Sequence, residues 1–476
     1  MNLLVSRKEK SNKKLGEGIK VPHTLVIISL IILFVSIATY IVPGGAYEKV
    51  VNEAGKTVVV DGSFKYVENQ PQGLFQVLQA PVQGIIDGAE IIAFLFIVGG
   101  AFNLISKTKA IDFGIVNIVN VFKGKEILII PIITFIFSLG GAVFGMSEES
   151  VPFVAILVPL MLALGYDSIM AVGVTYLACN LGFSSAMLNP FTVGIAQSIA
   201  EIPMFSGIEY RTIIWFITTT VGTLFLMMYA TKIKKNPEFS PVYESDKIKR
   251  ENLTNFGEDK DGFTFTHKII LSLLALCIGI IVWGVLTQGF WIPQIAAVFL
   301  VTGLASGIIG RLSGDEMADA FIEGAKGMIG AAIMIGFARA IVIIAENASI
   351  IDTILYNLAG VIGKLPPLLA ACIMYPIQMF INFFVGSGSG QAALTMPILA
   401  PLGDLIGISR QLTVLIFQFG DGFSNVIFPT SGILIACLGI AGVPFGKWLK
   451  WVMPLQGILF VLAITFITID SLIGWA

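Results

Sequence analysis

Glu148 and Glu149 stand side by side in GMSEES (residues 145–150), inside a block that is otherwise apolar from 126 to 165. Asp421 lies in GDGFSNVIFPTSG (420–432), between two further apolar runs. Arg339 interrupts the apolar run 329–346. Ionisable side chains in membrane-like surroundings are costly to keep and mark candidate functional positions. Glu148, Glu149 and Asp421 together would make an acidic pocket suited to an amine or guanidinium, and equally to Na⁺ or a proton. A dicarboxylate would instead require Arg339 and backbone N–H groups. The acidic candidates outnumber the basic one, so a basic amino acid leads and a dicarboxylate stays open. Ser147, Ser150, Asn180, Ser184, Ser185, Asn189, Ser387, Ser389, Gln391, Ser424, Asn425, Thr430 and Ser431 are the neutral polar contacts available on the same four stretches. A solvated turn is the plain alternative for Glu148, and an interhelical ion pair for Arg339. Asp404 and Glu346 fall near the ends of their segments, where outer water accounts for them.

The remaining composition excludes other chemistries. The 476 residues are 56% hydrophobic and 13% charged, against about 25% charged in soluble domains. Net charge is −2, which leaves no footprint for nucleic acid. The two histidines, His23 and His267, each open an apolar segment. Cys179, Cys277, Cys372 and Cys437 show no CxxC spacing, so neither a metal cluster nor a disulfide framework is expected. There is no GxxxxGK[ST] phosphate loop and no nucleophile–base constellation. Neither an enzyme nor an ATP-driven pump is indicated, and no cofactor is implied beyond a coupling ion, Na⁺ or H⁺. A channel would need an open polar path, whereas the polar residues here converge on the middle of apolar arms.

The elements that must hold these residues are membrane helices. Apolar runs approaching or exceeding ~18 residues recur along the chain, which reads as an all-α polytopic membrane protein embedded in a lipid bilayer. Residues 1–23 form a basic tail. Lysines also crowd the loop 232–267, and the Lys/Arg bias places both inside, with the C-terminus outside, in a cytoplasmic (inner) membrane. The first unit is 24–231, residues 268–288 form a linker helix, and the second unit is 289–476. Segments 75–88 and 110–122 are too short to span. The former suits an interfacial helix, and 315–328 reads as a short amphipathic segment.

An internal repeat organises these spans. ILVPLMLALG (156–165) and ILAPLGDLIG (398–407) match at five of ten positions with a shift of 242. Gly182-Phe183-Ser184 matches Gly422-Phe423-Ser424 at 240, as Asp112 and Gly84 match Asp352 and Gly324. The halves cross the bilayer in opposite senses, so the pattern predicts two inverted-topology repeats, each with a re-entrant helical hairpin (126–165 and 366–406) and an unwound transmembrane helix (168–200 and 410–441). The arm 151–165 would be about 22 Å long against a hydrocarbon core of ~30 Å. The runs 168–200 and 410–441 would be about 48 Å as straight helices, too long for one crossing. Ordinary full-length hairpin arms and Pro-centred kinks remain the alternatives. The expected site lies between tips 145–150 and 386–391 and breaks 180–192 and 421–431.

Four stretches carry a family resemblance: IVPGGAYE (41–48), GFARAIVIIAENASIIDTI (336–354), FFVGSGSGQAALTMPILAPLGDLIG (383–407) and DGFSNVIFPTSG (421–432). With them the chain resembles the YfcC-type carriers of the DcuC/ArcD group in the ion transporter superfamily. The resemblance implies an ion-coupled secondary carrier, a homodimer with scaffold and transport domains, and elevator-type alternating access. It also implies either arginine/ornithine-like exchange or C4-dicarboxylate transport. Related carriers bind substrate and sodium at Ser-Asn-Thr hairpin tips. The tips here are Ser147-Glu148-Glu149-Ser150 and Ser387-Gly388-Ser389-Gly390, so a sodium site of that form is not carried over.

Overall fold

The computed structural model describes residues 24–51, 57–60, 62–111, 113–114, 117, 124–254, 264–288, 290 and 292–474. The tail 1–23, Asp112 and the loop stretch 255–263 lie outside the described residues. The described chain is helical apart from two short antiparallel strand pairs in the segment after the first helix, β1 (Gly45–Ala46) with β4 (Lys65–Tyr66) and β2 (Lys49–Val51) with β3 (Thr57–Val59). Among the described residues six helices are long and apolar enough to cross a membrane, and a bent pair raises the number to seven.

The first half contains α1 (Thr24–Ile41), α2 (Leu74–Asp87), α3 (Ala89–Lys107), α4 (Ile129–Phe144) and α5 (Ser150–Ala163). Next come α6 (Ser168–Val172), a π-helical turn and α7 (Ala178–Ser184), which run on continuously. After a gap follow a second π turn (Pro190–Gly194), α8 (Ile195–Ile199) and α9 (Ile208–Lys235). A polar helix α10 (Tyr243–Thr254) leads to α11 (Phe265–Gln288) and α12 (Ile292–Ile309). The second half continues as α13 (Gly314–Gly327), α14 (Ile329–Asn347), α15 (Ile350–Ile362), α16 (Pro367–Phe384), α17 (Gly388–Ile406), α18 (Arg410–Ser424), α19 (Gly432–Ala441) and α20 (Phe445–Ile473).

The 240-residue offset reappears in the backbone. Helices α2 and α13 each have 14 residues and start 240 apart, as do the 19-residue α3 and α14. Lys109 and Ser349, also 240 apart, are both left-handed (φ 59° and 54°). Small residues set the helix crossings, as expected where lipid offers no hydrophobic drive between helices. A Cβ on Gly84 of α2 would fall 2.0 Å from the Gly336 carbonyl of α14, and one on Gly324 of α13 would fall 2.2 Å from the Gly99 carbonyl of α3. Helix α1 closes over α14, burying Ile28, Ile32 and Val35 with Ala338, Ile341 and Ala345.

Three expectations change in detail. The breaks are shorter than 180–192 and 420–432: helix persists to Ser184 and to Ser424, and the non-helical links are 185–189 and 425–431. The reason is local. Ser184 Oγ donates to the Asn180 carbonyl and Ser424 Oγ donates to the Gly420 carbonyl, so these polar residues satisfy the helix rather than open it. Second, Gly388–Gln391 is helical, not irregular. Ser387 accepts from Gly390 N–H and caps α17 there, which turns a linker-like sequence into a helix start. Third, α16 and α17 have 18 and 19 residues, about 27–28 Å of helix. The shortness argument for re-entry therefore applies to α5, with 14 residues, and not to the second hairpin.

Candidate functional site

The α4–α5 turn, the α16–α17 turn and the two helix gaps meet at one place. There a cavity of about 230 Å³ is lined by Ser147, Glu148 and Glu149 from the first tip, and by Gly386, Ser387, Gly388 and Ser389 from the second. Tyr176, Phe191 and Thr192 line it from the first broken helix, and Asn425, Thr430 and Ser431 from the second. Arg339, with Asp87 and Glu90 from the α2–α3 corner, completes the wall.

The first tip is held by its own chain. Gly145 takes φ 74° and ends α4, and Asn189 packs so closely on it that a Cβ there would sit 2.5 Å from Asn189 Oδ1. Ser147 N–H donates to Glu149 Oε2 at 3.0 Å, and Ser150 Oγ donates to the Ser147 carbonyl at 2.6 Å. Glu149 is 7% exposed, so its carboxylate has little water of its own. In the second gap, Tyr176 Oη donates to the Asn425 carbonyl at 2.9 Å and lies 3.2 Å from Ser431 Oγ. Asn382 Nδ2 donates to the Asp421 carbonyl, Ser424 Oγ and Asn425 Oδ1 at 2.7–3.1 Å. These contacts fix a stretch of backbone that no helix ladder supports.

Of the sequence candidates, Ser147, Glu148, Glu149, Arg339, Ser387, Ser389, Asn425, Thr430 and Ser431 face the cavity. The others stand behind it. Ser150 back-bonds within the tip, and Asn180 donates to the Tyr176 carbonyl. Ser184 and Ser185 bond carbonyls of their own helix, and Asn189 caps the second π turn. Gln391 is bound to Gln378, and Ser424 to its own helix and Asn382. Asp421 is 1% exposed and lies under the second tip, with Gly388 between it and the cavity. Its helix carries it inward because helix runs three residues past it.

Arg339 Nε lies 3.5 Å from Asp87 Oδ2, so its charge is shared with a carboxylate of the α2–α3 corner. Asp404, itself exposed, pairs with the partly buried Arg410 at 2.8 Å, away from this cavity. Four residues escaped the sequence reading of charge and polarity: Asp87, Glu90, Tyr176 and, on the second hairpin, Asn382. Asp87 and Glu90 flank Gly88-Ala89, where a short helix abuts a span. Tyr176 lies one turn before Asn180, a spacing that could have drawn attention to it. Asn382 carried no signal in a run of apolar residues. Among the described residues no group of three or more His, Cys, Asp or Glu is arranged to hold a metal ion.

Comparison with known proteins now bears on this geometry. Residues 21–471 match the family DcuC, the C4-dicarboxylate anaerobic carriers. The chain belongs to this family. A protein of Escherichia coli K12, YfcC, whose name gives it provisionally as a basic amino acid antiporter, is 42% identical over 95% of this chain and 97% of its own. An uncharacterised protein of Haemophilus influenzae is 33% identical over 86% of this chain and 80% of its own. Among solved structures, the YdaH transporter of Alcanivorax borkumensis (TM-score 0.44, 15% identity, 95% and 99% covered) and MtrF of Neisseria gonorrhoeae (0.38, 18%, 95% and 96%) are similar. Likeness at that level carries no argument here. The family member is a multi-pass membrane transporter, not an enzyme, and binds a small-molecule substrate within the membrane.

Proposed function

We propose that this carrier is a secondary active transporter that exchanges basic amino acids of the arginine/ornithine kind. One observation carries the reading: Asp87, Glu90, Glu148 and Glu149 face the cavity against the single guanidinium of Arg339, which Asp87 already engages. An excess of carboxylates in a confined, poorly hydrated space favours a cationic group by several kcal/mol, about 4 at 4 Å for an effective dielectric near 20. The α-carboxylate of the same substrate has a partner as well, since α5, α17 and α19 all begin at the cavity wall and bring the positive ends of their helix dipoles to it. The volume, below the ~300 Å³ at which drug-sized pockets begin, suits a small metabolite.

Two inverted repeats with re-entrant tips, moving as an elevator within a homodimer, form the frame we propose for this exchange. The equal helix lengths at offset 240, and the shortness of α5, support it. The proposed orientation places residues 1–23 and the loop 232–267 in the cytoplasm of a cell with an inner membrane. Na⁺ or H⁺ is the proposed coupling ion where exchange is not strict, with Glu148, Glu149 and Asp421 as its carriers. A second reading, ion-coupled transport of C4-dicarboxylates, is favoured by the family description and by those same helix N-termini around Arg339. Proteoliposomes loaded with unlabelled arginine should accumulate labelled arginine or ornithine by counterflow. Uptake of labelled succinate with no response to either amino acid would overturn the first reading in favour of the second. Saturable counterflow with no ion-like current separates both from a channel.

A further inference from the structure

A second and larger cavity, of about 600 Å³, lies on the other side of the second hairpin's tip. Its wall includes Tyr47 and Lys49 from the strand segment, Glu346 and Asp352 from the α14–α15 corner, and Gly390 and Ala393 from the first turns of α17. The segment 385–390 serves both cavities: Val385 and Gly390 face this one, while Gly386, Ser387, Gly388 and Ser389 face the central one. Helix α14 also serves both. Arg339 and Glu346 are seven residues apart, two turns along one helix face and about 10 Å in height. Arg339 lines the central cavity and Glu346 the larger one. The strand segment is pinned in place, with Tyr47 N–H donating to Asp352 Oδ2 at 3.1 Å and Gly45 N–H to the Ser349 carbonyl at 2.9 Å.

We propose that this larger cavity is a second binding site, weaker than the central one, for a free basic amino acid. Lys49 addresses the α-carboxylate, and Glu346 with Asp352 addresses the guanidinium or ammonium. Charges of both signs line this one cavity, as a molecule that carries both requires, and the volume lies within the ~300–1,000 Å³ typical of small-molecule sites. Substrate held there is one hairpin tip away from the central cavity. The inference rests on the reading of the cargo as a basic amino acid.

The test is equilibrium binding of radiolabelled arginine to the purified full chain in lipid nanodiscs. Two saturable sites per chain are expected. Lys49→Gln with Glu346→Gln should remove the weaker site and leave the tighter constant within about twofold, a shift below ~0.4 kcal/mol. Glu149→Gln should weaken the tighter site and spare the weaker. Should the paired substitution fail to yield folded protein, Ala393→Trp, which fills the cavity, serves in its place. One saturable site, lost on Glu149→Gln, would overturn this inference and leave the central reading standing. Two sites that both survive the Lys49/Glu346 and Ala393 changes would overturn it as well. Absence of any saturable arginine binding would sink both.

Discussion

Gly388 is where a single methyl group should separate function from stability. It sits in the first turn of α17, against Asp421 of α18 and Thr192 of the second π turn. A Cβ there would lie 2.5 Å from Asp421 Oδ2 and 2.6 Å from Thr192 Cγ2. Ordinary contact begins near 3.4 Å, so Gly388→Ala demands about 0.9 Å of movement shared between the tip and a carboxylate that is 1% exposed. Overpacking of this kind costs about 1–3 kcal/mol. The alanine returns up to about 1 kcal/mol of helix propensity. The net effect on thermal stability is thus small or moderately unfavourable. The displacement acts directly on the cavity, and an ångström-scale misplacement of binding groups can cost about 100-fold in rate. We predict at least ~10-fold slower arginine exchange in proteoliposomes, equivalent to about 1.4 kcal/mol. Gly457→Ala is the control: nothing lies within 4 Å of a Cβ there, mid-way along α20, so stability should hold or rise and exchange should not change. Exchange by Gly388→Ala at the wild-type rate would refute the placement of this tip against Asp421.

Glu149→Gln keeps an acceptor for Ser147 N–H and removes only charge. Loss of one charged contact to the proposed substrate, about 1.5–3 kcal/mol, should weaken arginine binding roughly 10–150-fold, while the retained acceptor for Ser147 N–H leaves the melting temperature unchanged. Gly182→Val places a side chain where a Cβ would already fall 1.7 Å from the Ser138 carbonyl, at the crossing of α4 and α7. Backbone cannot yield there cheaply, and fluorescence-detected size exclusion should show aggregated or absent protein, whereas a monodisperse peak would contradict the crossing. Lys249 of α10 donates from Nζ to Asp246 Oδ1 at 2.7 Å, to Ser168 Oγ at 2.8 Å and to the Ala441 carbonyl at 2.6 Å, joining the start of α6 to the end of α19. Asp246 is fully buried and Lys249 partly exposed, so Lys249→Met should destabilise by about 3 kcal/mol, the low end for a broken buried pair. Adding Asp246→Asn should recover part of that loss in the same melting assay, and no recovery would argue against the pairing.

Much of this architecture was legible because lipid leaves few options. Backbone in a bilayer must close its own hydrogen bonds, so apolar runs of sufficient length become helices, and polar or Gly/Ser-rich interruptions at matched places mark where those helices stop. On that ground GMSEES, GSGSGQ and the stretches 180–192 and 421–431 read as turns and gaps that should converge, although helix runs on to Ser184 and Ser424 and begins again at Gly388, so each gap is shorter than its sequence suggests. Sequence alone did not determine which side chains turn toward the cavity. Asp421 and Ser424 looked like part of an opening, yet Ser424 Oγ finds its partner in the Gly420 carbonyl one turn back, so α18 runs on past Asp421 and carries it behind the tip. Asp87 and Glu90 are not among the sequence candidates, since segment 75–88 reads only as an interfacial helix. Close packing of α2 on α14 through Gly84 and Gly336 places the α2–α3 corner beside Arg339, and so doubles the carboxylates that line the cavity, from two to four. Helix and gap are local consequences of hydrophobicity and backbone satisfaction. The sign of the charge in the cavity is a sum over segments distant in the chain, and only their packing performs it.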